Sequence, residues 1–173
     1  MICNRKFLIA SALCLCMIGF AQKPEKKPIP VQHEVSNKDV VQSVFPEATK
    51  VEKVNNFWFK VIDSENKVIG FAMSSMTYCN DVKGYNKTTP VMIITDKNLV
   101  VKKVGLLSNW ETLGYVKKLE RNGFFDLWVG KTLKEAMAVI PDGYTGATYT
   151  ANAVIKNVDF LLSKGIAFLP KNK

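Results

Sequence analysis

The run Val91-Met92-Ile93-Ile94-Thr95 is bounded by Pro90 on one side and Asp96-Lys97-Asn98 on the other. It reads as a strand that is apolar on both faces. Such a strand demands a sheet covered on both sides, with at least one helix packed against it. One helix able to do this is visible downstream. Ala151, Val154, Ile155, Val158, Leu161 and Leu162 recur at helical spacing, and Gly165 reads as a stop just after Lys164. The strand pairs with Leu99 to Leu107 across Asp96-Lys97-Asn98, and an earlier hairpin joins Phe57–Ile62 to Val68–Met73 through Asp63 to Lys67. Ser36 reads as the cap of a short helix carrying Val40, Val41 and Val44 and ended by Pro46. A charged, helix-capable stretch from Tyr115 to Arg121 ends at Asn122-Gly123, and Thr132 with Glu135 forms a capping box ahead of Pro141. Without an internal repeat or second domain, the expectation is a single α+β domain of antiparallel hairpins packed against helices.

The chain opens with Arg5 and Lys6, an apolar run from Phe7 to Phe20, small residues at Gly19 and Ala21, and a polar turn at Gln22. That is the layout of a secretory signal peptide. The run is about 14 residues against the roughly 20 that span a bilayer, which favours cleavage after Ala21 over a retained anchor. Cys14 and Cys16 each follow Leu, where a lipidation site calls for a small residue. Residues 22 to 35, rich in lysine and proline, read as an extended tether, and residues 36 to 173 as the domain.

Loss of residues 1 to 21 removes Cys3, Cys14 and Cys16 and leaves Cys79 alone, so stability must come from the core rather than from an internal disulfide. Cys79 itself reads as a partly buried, inert thiol. His33 is the single histidine, which excludes a Cys/His zinc site and a Ser-His-Asp triad. Protein side chains alone therefore offer little catalytic equipment. Basic residues outnumber acidic ones 24 to 15, or 22 to 15 without Arg5 and Lys6. The lysines are scattered, and the aromatic residues fall on strand patterns rather than among basic clusters. This speaks against nucleic acid and for an anionic cofactor, an acidic partner or a membrane surface.

The segment Asp142-Gly-Tyr-Thr-Gly-Ala-Thr148 immediately precedes the amphipathic helix. The first N–H groups of a helix lack intrahelical partners, the dipole there favours an anion, and Gly146 with Ala147 permits close approach to the backbone. Thr145 and Thr148 add hydroxyls. The plainer alternative is that one of these threonines is only an N-cap.

Four blocks in order carry a resemblance. They are Val44-Phe45-Pro46, Gly84-Tyr85 through Pro90, Glu111-Thr112-Leu113-Gly114, and Thr145-Gly146-Ala147-Thr148. Together they resemble the FMN-binding domain family, found in the sodium-translocating NADH:quinone reductase and in the Rnf complex, over nearly all of residues 38 to 165. The family often has Ser at the position of Thr145, Pro at Leu113, and Gly-Pro where Thr89-Pro90 stands.

The resemblance implies FMN held by a phosphoester to Thr148, installed outside the cytoplasm by a flavin transferase that takes the FMN part of FAD. It implies that Asp142 serves transferase recognition, and that Glu111 and Thr112 lie near the flavin. Leu113, Tyr85 and Tyr149 offer apolar and aromatic walls for a planar ring. The implied function is an exported flavoprotein relaying electrons at the outer face of the cytoplasmic membrane, with a membrane-bound redox complex or another extracytoplasmic redox protein as partner. The alternatives are a flavin-free binding or assembly module on the membrane surface and a small extracytoplasmic flavin reductase.

Overall fold

The computed structural model describes residues 29–141 and 146–170. The segment read as a signal peptide and the first half of the tether, together with Asp142 and Thr145, lie outside the described residues.

Among the described residues five strands form one antiparallel meander in the order β1-β2-β3-β4-β5: Ala48–Lys53, Trp58–Asp63, Val68–Ser74, Val91–Asp96 and Val101–Leu106. Among the described residues four α-helices accompany it: α1 Asn37–Gln42, α2 Leu113–Arg121, α3 Leu133–Met137 and α4 Thr148–Ala167. A 3-10 turn, Phe124–Trp128, links α2 to α3. The molecule is the α+β domain that the patterning predicts.

The first five residues of β4 are all buried, and alternation explains how. Val91 and Ile93 point to one face, where they join Trp58, Met73 and the α4 stripe Ala151, Val154, Val158, Leu161 and Leu162. Met92 and Ile94 point to the other, where they meet Val40 and Val41 of α1 and the ring of Phe45. Val91, Ile93 and Ile94 are all fully buried. Each such side chain contributes about 1.5–3 kcal/mol by leaving water. The two-sided core is what holds α4, and hence its first turn, in place against the sheet.

Local chemistry fixes the joints. Ser36 caps α1 by accepting the Asp39 N–H, and Thr132 with Glu135 makes the reciprocal capping box of α3. Asp63 and Asp96, each closing a strand, each accept two turn N–H groups through Oδ1. Their rigid turns differ slightly from the pattern: Leu99 adopts a left-handed conformation in the second hairpin, so β5 begins at Val101 rather than at Leu99.

Gly165 does not end α4. The helix continues to Ala167, and the glycine sits where a Cβ would come within 2.5 Å of Met73 Sδ and 3.2 Å of Trp58 Cζ2. Its carbonyl also accepts the Trp58 indole N–H at 3.1 Å. A glycine read as punctuation is instead a point of close helix–sheet approach. Sequence patterning also misses β1, an edge strand in which only Ala48 is buried. It misses the 3-10 turn as well, whose Phe124 and Trp128 are core residues.

The described end of the Lys/Pro-rich segment is laid against the exit of β5. His33 and Asn109 exchange backbone hydrogen bonds of 2.7 and 3.1 Å. Val35 donates to Ser108 Oγ at 2.9 Å and accepts from it at 3.2 Å.

Candidate functional site

The N-cap of α4 is Ala147, which has no side-chain acceptor to offer, and Thr148 is the first helical residue, exposed to solvent. Thr148 is therefore not the capping threonine of the plainer alternative. Gly146 precedes the cap with φ of +83°, a left-handed conformation that favours glycine. A Cβ there would lie 2.7 Å from Lys118 Nζ, so the missing side chain leaves room for an ammonium group to approach the turn.

A cleft of about 240 Å³ opens beside Thr148, lined by Tyr85, Tyr115, Tyr149 and Thr150 with the turn at Gly146 and Ala147. The Tyr85 ring meets Tyr115 edge-on, with centroids 5.0 Å apart, and lies 6.5 Å from Tyr149 at 52°. Tyr85 is 48 % exposed and Tyr149 70 % exposed, so the aromatic faces look outward rather than into the core. The neighbouring Tyr85 raises the Tyr115 hydroxyl above its ordinary pKa, because a second phenolate beside the first is unfavourable. Tyr115 is the wall that sequence reasoning did not single out. Its signal was available, since a tyrosine in the first turn of a helix directly after Glu111-Thr112 stands close to those residues.

The other predicted wall, Leu113, lies elsewhere. It is half-exposed in a separate groove of about 390 Å³ with Ile29, Val31, His33 and Trp110, a groove to which Tyr85 also contributes. Thr112 occupies the N-cap position of α2 without a side-chain cap bond and is 3.5 Å from Asn86 Nδ2. Gly114 has open space where a Cβ would stand, so packing does not require glycine there.

Glu111 lies beneath the cleft, 1 % exposed, and its carboxylate oxygens are engaged by protein donors. Oε2 accepts the Tyr85 N–H at 3.2 Å and the Thr150 hydroxyl; Oε1 accepts the Asn86 N–H at 3.4 Å and the Thr89 hydroxyl at 2.9 Å. A Cβ on Gly84 would collide with Glu111 Oε1, which explains a glycine at that point of the loop. The Glu111 backbone is fixed in turn, its N–H to Asn109 Oδ1 at 2.9 Å and its carbonyl to His33 Nε2 at 2.8 Å. Asn157, deep on α4, donates to the Thr89 carbonyl at 3.0 Å. One carboxylate thus joins the Gly84–Thr89 loop, the β5 exit and the first turn of α4. Buried acceptors satisfied this fully specify one arrangement of the segments that meet at them.

A roomier apolar groove of about 550 Å³ lies between α1 and strands β1 to β3, and none of the predicted site residues lines it. Among the described residues no group of His, Cys, Asp and Glu is placed to hold a metal ion, and no helix is long and apolar enough to cross a membrane. Cys79 is fully buried, and burial raises its thiol above the ordinary range, as expected for an inert cysteine.

No curated protein matches the chain. Residues 84–163, from the glycine that packs on Glu111 through most of α4, match the family model described as FMN-binding domain.

Proposed function

Residues 84–163 belong to the FMN-binding domain family, and from that premise we propose that the chain carries FMN covalently on Thr148 and relays electrons as an exported flavoprotein. The observation that carries the reading is the position of Thr148, an exposed hydroxyl at the first residue of α4 and at the lip of the tyrosine-lined cleft. The residues suit the group. Gly146 leaves space before the helix for an anion, Tyr85, Tyr115 and Tyr149 offer faces to a planar ring, and Lys118 brings a positive charge.

Attachment is a phosphoryl transfer. Thr148 Oγ forms a bond to the FMN phosphorus of FAD, the pyrophosphate bond breaks, AMP leaves, and the hydroxyl proton passes to a base of the transferase. A threonine hydroxyl is a weak nucleophile, and the transferase supplies its activation. An exposed threonine on a rigid helix end suits presentation to another protein's active site.

FMN supplies the redox chemistry when bound, and the protein supplies position and surroundings. The cleft is smaller than the roughly 300–1,000 Å³ usual for pockets that enclose a ligand. Tyr85, Tyr115 and Tyr149 would hold such a group against a cleft too small to enclose it, which favours exchange of electrons with a protein partner over enclosed turnover of a small substrate. Export rests on the sequence of residues 1 to 21, and the partner on this reading is a membrane-bound redox complex or another extracytoplasmic redox protein.

The test is the intact mass and visible spectrum of the exported protein coexpressed with a flavin transferase, beside Thr148→Ala. The expected result is the mass of one added FMN and a yellow chromophore that survives denaturation, both lost in the variant. A colourless protein of unmodified mass, made beside a control substrate that the same transferase modifies, overturns the proposal.

A further inference from the structure

We infer that Lys118 is the resident counter-ion of the phosphate on Thr148, a binding residue that acts both while the phosphoester forms and afterwards. The inference rests on the attachment reading above and gives the charge of Lys118 a defined role in it.

The geometry comes from α2. Tyr115 and Lys118 are three residues apart on that helix and therefore share a side. Tyr115 spends that shared side on the wall of the cleft, and Lys118, one turn further on, reaches the turn that precedes α4. Its Nζ lies 2.7 Å, and its Cε 3.8 Å, from the point a Cβ on Gly146 would occupy. Gly146 and Thr148 are two residues apart, and two residues span at most about 7 Å. The ammonium and the Thr148 hydroxyl are thus within the sweep of a flexible four-carbon stem. Lys118 is half-buried, so its charge is screened less than that of a lysine free in solvent.

The chemistry asks for such a group. In the transfer step Thr148 Oγ gains a bond to phosphorus, the bond to the AMP oxygen breaks, and the proton departs to the transferase, with no change in oxidation state. The product is a phosphodiester that keeps one negative charge for the life of the protein. After the transferase and its own cations leave, that charge needs a partner on this chain. The first turn of α4 supplies N–H dipoles, and the Lys118 ammonium supplies the positive charge. Glycine at 146 is then required twice, for the left-handed turn and for the lysine's approach.

The experiment follows the time course of Thr148 flavinylation by intact mass in the wild-type protein, Lys118→Met and Lys118→Arg, with thermal melts of all three to establish that they fold. The phosphorus NMR resonance of each modified protein is recorded as well. Lys118→Met is expected to slow modification by about tenfold, the lower end for loss of a charge-assisted hydrogen bond. Arginine is expected to restore the rate, high salt to narrow the gap, and the phosphodiester resonance to move in the methionine variant. Equal rates and identical resonances in wild type and Lys118→Met overturn the role of Lys118 and leave the Thr148 attachment standing. Slower modification that arginine does not restore and salt does not change assigns Lys118 a packing role and also overturns it. A wild-type protein that stays unmodified beside a modified control substrate removes the attachment reading, and this inference with it.

Discussion

Replacing Glu111 by glutamine preserves the shape of the side chain and changes only what its two terminal atoms can do. In the wild type each carboxylate oxygen accepts one backbone N–H and one hydroxyl. A glutamine NH2 group can face a hydroxyl, which rotates to accept, but not a backbone N–H, which only donates. Whichever way the amide turns, one loop N–H is left opposite a donor. The Asn86 bond is the longer, at 3.4 Å against 3.2 Å for Tyr85, so the amide oxygen is expected to keep the Tyr85 and Thr150 side. The Asn86 N–H then loses its acceptor. A hydrogen bond to a charged group contributes about 1.5–3 kcal/mol, and partial exposure of Asn86 softens the penalty of the orphaned donor. The expected loss of stability for Glu111→Gln is therefore about 2 kcal/mol. Glu111→Ala, which strands all four donors and opens a void, is expected to lose about 4 kcal/mol. Urea unfolding at neutral pH measures both, and amide hydrogen exchange reports the Asn86 N–H directly. A Glu111→Gln protein within about 0.5 kcal/mol of wild type, with the Asn86 amide still protected, would refute the account of Glu111 as the hub of the loop and helix.

Gly146→Ala places a side chain at φ of +83° and against Lys118 Nζ, and a loss of about 1–2 kcal/mol in urea unfolding is expected; no loss would contradict the left-handed turn. Gly165→Ala gains about 1 kcal/mol of helix propensity but drives a methyl into buried Met73, so a net loss of about 1 kcal/mol is expected in thermal melts, and a stabilised variant would show that the contact relaxes. Thr132→Ala removes the α3 capping box and is expected to lower stability by about 1 kcal/mol, read by the same melts. Cys79 is expected to resist thiol reagents in the folded protein and to react only on unfolding. Its raised folded pKa means the unfolded chain releases the thiol proton first. Stability from this residue is thus present below about pH 8.5 and lost as pH rises toward the folded value, and Cys79→Ala should flatten that decline.

Features encoded within a few residues were the ones legible from sequence. Val91 to Thr95 announces a strand buried on both faces by its own composition, and Ser36, Thr132 and Glu135 announce helix starts by their spacing. The α4 stripe does the same, so a sheet covered on both faces and the helix that packs on it follow from pattern, although the helix begins at Thr148, inside the segment read as preceding it. What escaped depends on partners distant along the chain. Strand β1 carries mostly exposed polar side chains and is a strand because β2 pairs with it, Val51 opposite Val61. Gly165 looks like a helix stop because nothing nearby in sequence reveals Met73 and Trp58 waiting across the interface. At the site, the family resemblance points to Tyr85, Tyr149 and Thr148, which the fold does gather around one cleft, while Leu113 goes to another. The inward turn of Glu111 needed Thr89 and Thr150, 22 and 39 residues away, to be seen together.

The pairing of His33 with Asn109 and with the Glu111 carbonyl gives the domain a fixed point of suspension. Whatever holds the chain upstream of Ile29 pulls on the strand exit that carries Glu111, not on a remote corner of the fold. The lever between that point and the tyrosine cleft is only a few residues long. Swinging motion of the domain about its N-terminal lead would therefore move the Glu111 hub, and the first turn of α4 bonded to it through Thr150, less than parts of the fold remote from that contact. If FMN is carried on Thr148 as proposed, it would sit near that pivot, and the body of the protein could swing without carrying the flavin far.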